Sequence, residues 1–306
     1  MKGNVLVTGG SGFLGKVLVE RLRAVGYQVT APSSRDFNLL YPGHIDEMFE
    51  ISQPDIVIHA AAKVGGILFN QQKPAELFYH NIMMGVQMME AARFYNVSKY
   101  VQIGTVCEYP KFTDVPFLEE DLWNGYPEET NAPYGIAKKA LLVQGQAYRQ
   151  QYGLNVIHLL PVNLYGPGDN FHLKSSHVIP GLIVRISEAI MAGLPSVSIG
   201  GSGMASREFL YVDDAADAIL KAVAMYDKPE PINIGSGVEI SIESLARLIA
   251  VKLGYEGQIV CGANIPEGQP RRRLDVQKAK KEFDFTASTN LSDGLDKTIK
   301  WYQENK

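Results

Sequence analysis

At 306 residues the chain exceeds the length at which one hydrophobic core usually stops growing, so two domains are expected. Its 29 basic and 33 acidic residues leave a net charge of -4, which offers no basic field for nucleic acid. The two cysteines, Cys107 and Cys261, and the six histidines show neither a disulfide framework nor a metal-ligand spacing, no signal segment precedes the first strand pattern, and the apolar stretches are strand-sized. A cytoplasmic protein without a metal, a nucleic-acid partner or a membrane span is expected.

Asn4–Thr8 is a short β-rich apolar run, and glycines follow it at once. Gly10, Gly12 and Gly15 fit G-x-G-x-x-G between a strand and a helical pattern over Phe13–Ala24. Such glycines permit a tight turn and close backbone approach, so a pyrophosphate can rest on the free amides of a helix N-terminus. The expected cofactor contacts are Gly9, Gly10, Ser11, Gly12, Phe13, Leu14 and Gly15. A second strand, Gln28–Ala31, runs into Pro32, Ser33, Ser34 and Arg35 instead of the carboxylate that usually holds the ribose of NAD. The guanidinium and serines suit a 2'-phosphate and favour NADP; NAD stays open because Asp36 follows and could turn back.

A helix near His44–Phe49 precedes an interior parallel strand at Asp55–His59. The small residues from Ala60 to Gly66, Ala61 among them, would let a cofactor lie across the strand end. The long helix Pro74–Tyr95 carries packing methionines and apolar residues on both sides, a hint of a second subunit. Strand Tyr100–Ile103 leads to Thr105 and Cys107, where a doubly wound sheet binds its ligands; each reads equally well as a strand-end filler. Lys111–Thr130 is an acidic excursion without periodicity. Tyr134 and Lys138 then stand one turn apart on the same face of a helix reaching Tyr152. An ammonium beside a phenol lowers the phenol pKa, which suits Tyr134 to protonate a carbonyl oxygen that is being reduced.

Asn155–Leu160 is another interior strand, with His158 read as a satisfied core histidine. Turn signals cluster from Pro161 to Asn170, the expected hinge. Residues 1–166 are assigned to a cofactor domain completed by about 207–234, where Arg207 leads into a helix ending near Tyr226 and Pro231–Ile234 returns as a strand. The second domain takes 167–206 and 235–306. His172 and His177, ahead of a helix over Val178–Ala192, could bound a substrate pocket. Arg271, Arg272 and Arg273 could join Arg207 in clamping a diphosphate, or form a solvated turn. Trp301, in the last helix, is expected in the core. The fold class is α/β, a doubly wound parallel sheet with a second, smaller α/β domain.

Gly9-x-x-Gly12-x-x-Gly15, with Thr105 and Tyr134-x-x-x-Lys138, resembles the extended short-chain dehydrogenase/reductases that act on nucleotide sugars. The stretches Ala61–Ile67, Cys107–Pro110, Asn163–Pro167, Ser176–Pro180 and Arg207–Phe209 are similar to the GDP-L-fucose synthases, and the resemblance covers essentially the whole chain. It implies a homodimeric enzyme that epimerises C3 and C5 of GDP-4-keto-6-deoxy-D-mannose and reduces C4 with NADPH. It assigns Tyr134, Lys138 and Thr105 to reduction, Cys107 and His177 to epimerisation as base and acid, and Asn163, His177, Arg185, Arg207 and Arg272 to the nucleotide sugar. Pro161, Asn163 and Leu164 join Ala61, Ser34 and Arg35 as cofactor contacts. Two positions depart from the pattern: Arg272 replaces a lysine, and Ser11 stands where an arginine can touch the NADP phosphate. Reductase/epimerases for other GDP-4-keto deoxy sugars or a 6-deoxy-heptose use the same groups. A nucleotide-sugar 4-epimerase would have no use for Cys107 and His177, and a cofactor-sensing module none for the Tyr134/Lys138 pair.

Overall fold

In the computed structural model, which describes residues 2–173, 175–262 and 268–306, strands alternate with helices from the first residues onward. The strands are β1 (Lys2–Thr8), β2 (Tyr27–Thr30), β3 (Ile56–His59), β4 (Lys99–Ile103), β5 (Val156–Pro161), β6 (Asn163–Tyr165), β7 (Ser196–Gly200), β8 (Ser206–Tyr211), β9 (Ile232–Ile234), β10 (Glu239–Ser241) and β11 (Gln258–Gly262). The helices are α1 (Phe13–Ala24), α2 (Pro42–Ser52), α3 (Ile67–Gln72), α4 (Pro74–Phe94), α5 (Ala132–Tyr152), α6 (Val178–Met191), α7 (Val212–Met225), α8 (Ile242–Leu253), α9 (Gln277–Phe283) and α10 (Leu291–Asn305).

Six strands form a parallel sheet in the order β2-β1-β3-β4-β5-β9. Its inner strands are apolar on both sides because helices cover both faces, as parallel sheets require. Leu18, Leu22, Ala215, Ile219 and Ala222 of α1 and α7 pack on Val5, Val7, Ile58 and Val101. On the other face Ile45, Phe49, Met88 and Met89 of α2 and α4 cover Leu6, Val57 and Tyr100. The two methionines are fully buried, as their packing role requires. Strand order reverses between β1 and β3, and the crevice beyond the carboxyl ends at such a reversal is where a doubly wound sheet takes its ligand.

A second core gathers Tyr165, Ile183, Ile186, Phe209, Leu245, Ile249 and Leu295 around α6, α8 and α10. It lies against a three-stranded sheet, β10-β8-β6, and a parallel pair, β7 with β11. Here the structure departs from the sequence reading. Arg207 leads into α7 as expected, but by way of a strand: Ser206–Tyr211 belongs to the three-stranded sheet, while α7 and β9 return to the large one. The strand runs into α7 with no turn residue between them, which hid it. Trp301 is half-buried and stacks on Phe171 with ring centroids 5.7 Å apart, so it edges the core and does not fill it.

Glu208 joins the two parts. Buried on β8, its Oε1 accepts the Gly237 N–H and its Oε2 the Leu274 N–H, each at 2.7 Å. Burial pushes its pKa up while these amide bonds pull it down. Glu208→Leu leaves the buried Leu274 amide and the half-buried Gly237 amide without an acceptor and is expected to cost about 2 kcal/mol or more, read as a lower midpoint in chemical denaturation. An unchanged midpoint would show that water replaces the carboxylate at no cost.

Candidate active site

Between β1 and α1 the backbone is folded so tightly that side chains are excluded. Gly9 has φ +73°, and a Cβ there would lie 2.7 Å from the Ala61 amide nitrogen. A Cβ on Gly10 would approach the Ala31 methyl to 2.6 Å, and one on Gly15 would collide with the Gly9 carbonyl. Gly12 caps α1 without a side-chain bond, and the first turn carries no acid, so the Phe13, Leu14 and Gly15 amides have no helical partner. A phosphate group fits this cradle. The loop after β3 is fixed from behind by Asn81, which accepts the Lys63 N–H at 3.0 Å and donates to the Lys63 carbonyl at 2.9 Å. Beyond β2, Ser33 Oγ donates to Asp36 Oδ2 at 2.7 Å, so the carboxylate turns back onto the loop while the Arg35 side chain extends into solvent. Pro161, Asn163 and Leu164 are half-buried at the end of β5 and in β6.

The chain leaves β4 into a single turn of tight helix, Val106–Glu108, capped by Thr105, whose Oγ1 accepts the Cys107 N–H at 3.2 Å. Helix α5 begins directly against this turn, because a Cβ on Gly135 would collide with the Cys107 carbonyl. Asn131 anchors the start of α5 by donating to Glu128 Oε2 at 2.8 Å and accepting from Asn70 at 2.9 Å. Thr105, Cys107, Tyr134 and Lys138 are thus brought together from two segments. Lys138 is buried, and its Nζ donates to the Ile103 carbonyl at 2.9 Å. Burial pulls its pKa down to about 8, with Glu108 opposing.

Tyr134 departs from expectation. Burial pushes its pKa up, the negative ends of Cys107 and Glu108 add to the rise, and only the Thr105 side chain pulls it down. Lys138 does not lower it, because the ammonium is directed at the Ile103 carbonyl and a charged phenolate would be desolvated. Tyr134 therefore holds its proton at neutral pH. Lys138 bears instead on His59, whose pKa burial lowers first and the ammonium lowers further.

Farther out, the Cys107 thiol is half-buried with Arg272 Nη1 3.7 Å from Sγ. Arg272 is itself buried and held by Gln269 Oε1 at 3.2 Å. The arginine run does not act together: Arg271 pairs with Glu239 at 2.6 Å, and Arg273 keeps a buried Nε without a partner. Arg271 and Arg272 are thus held by different partners. Arg207 is buried on β8 and donates to the Ser206 carbonyl at 2.7 Å, Asn163 Nδ2 donates to the Glu208 carbonyl at 2.9 Å, and Arg185 lies exposed on α6. His177 caps α6; its ring reaches the surface, yet enough protein surrounds it that desolvation lowers its pKa. His172 is exposed in the preceding loop.

The sequence reading missed Glu108, while His158 is a core histidine as expected. His158 is only half satisfied: Nε2 bonds Glu108, and Nδ1 is buried without a partner. An acid between Cys107 and Tyr109 and a histidine inside an apolar strand were the available signals, but nothing local shows that they meet.

Residues 5–235 match the family model described as the NAD dependent epimerase/dehydratase family. The chain is 38% identical over 315 residues, covering 100% of itself and 98% of the relative, to the GDP-L-fucose synthase of Escherichia coli (strain K12). A GDP-L-fucose synthetase of Naegleria fowleri bound to NADP matches with a TM-score of 0.90 at 28% identity, over 98% of this chain and 92% of that one. A GDP-6-OMe-4-keto-L-xylo-heptose reductase from C. jejuni matches with a TM-score of 0.93 at 26% identity, over 99% and 98%. The parallel sheet with its glycine-lined crevice and this full-length similarity agree: the chain belongs to the NAD dependent epimerase/dehydratase family and, within it, groups with the GDP-L-fucose synthases.

Proposed function

We propose that the protein epimerises C3 and C5 of GDP-4-keto-6-deoxy-D-mannose and reduces C4 with NADPH. The observation that carries this reading is the Thr105–Glu108 turn, which sets a hydroxyl and a thiol against Tyr134 and Lys138 beside the glycine cradle. NADPH, when bound, supplies the hydride for C4. The Gly9–Gly15 loop and Ala61 hold its phosphates, Ser34 and Arg35 its 2'-phosphate, and Pro161, Asn163 and Leu164 border its other end. Residues 1–166 with α7 and β9 serve the cofactor, and 167–211 with 235–306 the nucleotide sugar; of the latter span, 263–267 lies outside the described residues.

The C4 ketone makes the protons on C3 and C5 acidic, and its oxygen can hold enolate charge beside Thr105 and Tyr134. Inverting a carbon requires a proton taken from one side and returned from the other. Cys107 removes it, and His177 returns a proton from the opposite side. Tyr134 keeps its phenolic proton until the C4 oxygen gains charge and then donates it. Arg185 and Arg207 receive the diphosphate, Asn163 the sugar, and Arg272 acts at the sugar end beside Cys107. A second reading, a reductase/epimerase for another GDP-4-keto sugar such as a heptose, is favoured by the 0.93 match to the heptose reductase; product analysis with several GDP-4-keto sugars separates the two.

The assembly is a homodimer in this reading, joined through α4 and α5, where Phe78, Tyr79, Val86 and Val143 are exposed. No helix among the described residues is long and apolar enough to cross a membrane; a cytoplasmic location is part of our proposal.

Tyr134→Phe removes the proton donor and is expected to lower kcat by about 10^2- to 10^4-fold with little change in NADPH affinity. A kcat close to wild type would end that assignment. Arg35→Ala should raise the KM for NADPH far more than that for NADH, and equal effects would leave Arg35 a surface residue. In deuterated water without NADPH, Cys107→Ala should abolish exchange at C3 and C5. His177→Asn should retain exchange but fail to invert, since Cys107 can take and return the same proton. Normal inversion in both variants would remove Cys107 and His177 from the epimerisation.

A further inference from the structure

Below the catalytic turn the large sheet carries a row of buried polar side chains for which no cofactor or substrate role is assigned above. Parallel register sets Thr8 beside His59, His59 beside Gln102 and Gln102 beside His158, and none of the four is more than 2% exposed. Thr8 Oγ1 and His59 Nδ1 share a hydrogen bond of 2.8 Å. Gln102 Nε2 donates at 2.9 Å to the Ile103 carbonyl, the same oxygen that holds Lys138. The row ends at His158, whose Nε2 faces both carboxylate oxygens of Glu108 at 3.1 Å. Glu108 is fully buried, and its Oε1 also accepts the Thr105 N–H at 2.9 Å.

Such a row is costly. His59 Nε2, Gln102 Oε1 and His158 Nδ1 are buried with no partner, and a packed apolar core would avoid that penalty. Its Glu108 end lies where Thr105 and Cys107 are held. We propose that the Glu108–His158 pair is the positioning element of this turn: Glu108 fastens the Thr105 backbone from below, His158 fixes the carboxylate, and the Thr105 cap on the Cys107 N–H extends the hold to the thiol. Two positioning residues thereby serve both the reducing and the epimerising side of the site, and the inference rests on the function proposed above.

Gly104 supports the assignment independently. It lies between β4 and the turn, and a Cβ there would collide with both Glu108 Oε1 and His158 Nε2, so the pair closes only beneath a glycine. The carboxylate is also an electrostatic neighbour of the catalytic groups. From α5 it faces Tyr134, Lys138 and Lys139; from its own turn, Tyr109 beside Cys107; from β5, His158. It raises Lys138 against the fall imposed by burial, while His59 faces Lys138 from β3.

Glu108→Gln keeps an acceptor for Thr105 and removes the charge. With Lys138 near 8, wild-type activity should fall as pH rises through about 8, where the ammonium is lost. Removing the carboxylate takes away what raises Lys138, so this alkaline limb should move to lower pH. At the same time kcat should fall by about tenfold, with the KM for nucleotide sugar and for NADPH nearly unchanged. Gly104→Ala, which wedges the pair apart without touching a reactive side chain, should also lower kcat. A second readout needs no substrate: in a Cys261→Ser background, both variants should change the rate at which iodoacetamide alkylates Cys107. If Glu108→Gln does not fold, Gly104→Ala decides by kcat and alkylation rate. A folded Glu108→Gln with wild-type kcat, pH limb and alkylation rate overturns the proposal. If the wild-type protein fails to turn over GDP-4-keto-6-deoxy-D-mannose, the functional reading falls, and the alkylation rates still test the turn.

Discussion

Parallel strands must all end on the same edge of their sheet, and the chemistry of this protein follows from that constraint. β1 delivers the glycine loop, β3 the Ala60–Gly66 segment, β4 the Thr105–Glu108 turn and β5 the approach to Asn163, all at one edge. Helix α5 supplies Tyr134 and Lys138 to the same place because Gly135 lets its first turn rest on the Cys107 carbonyl. The second core, around α6 and α8, carries His177 at the start of α6 and Arg185 on its exposed side. No single element contains the site. Its precision comes from close approaches that glycine alone permits.

Burial then sets the protonation states, and it acts on Tyr134 and Lys138 in opposite senses. A low-dielectric environment disfavours whichever form is charged, so the phenol rises and the ammonium falls. For Lys138, the net drop from 10.5 to about 8, with the opposing effect of Glu108 already included, corresponds to ~3 kcal/mol against the buried ammonium. The result is a phenol that retains its proton beside a lysine that titrates near physiological pH.

The arginines show how far chain proximity misleads. Arg271, Arg272 and Arg273 form a dense positive run in the sequence, yet one pairs with Glu239, one reaches Cys107 and one keeps a buried nitrogen unpartnered. The same holds for Arg207: its segment looked like the lead-in to a helix and is a strand of the smaller sheet. Short strands that run into helices without a turn residue leave no mark in local periodicity.

By itself the sequence determined the first β-α unit with its glycine loop, the interior apolar strands, the one-turn spacing of Tyr134 and Lys138, and the strand-end placement of Thr105 and Cys107. Each depends on residues adjacent in the chain or on one periodicity, so local chemistry suffices. Tertiary structure alone decided what these groups touch. Glu108 meets His158 across 50 positions, and Arg272 meets Cys107 across 165. It also decided the direction in which Tyr134 is shifted. These depend on which distant segments pack together and on how completely they exclude water, and neither is written in the order of neighbouring residues.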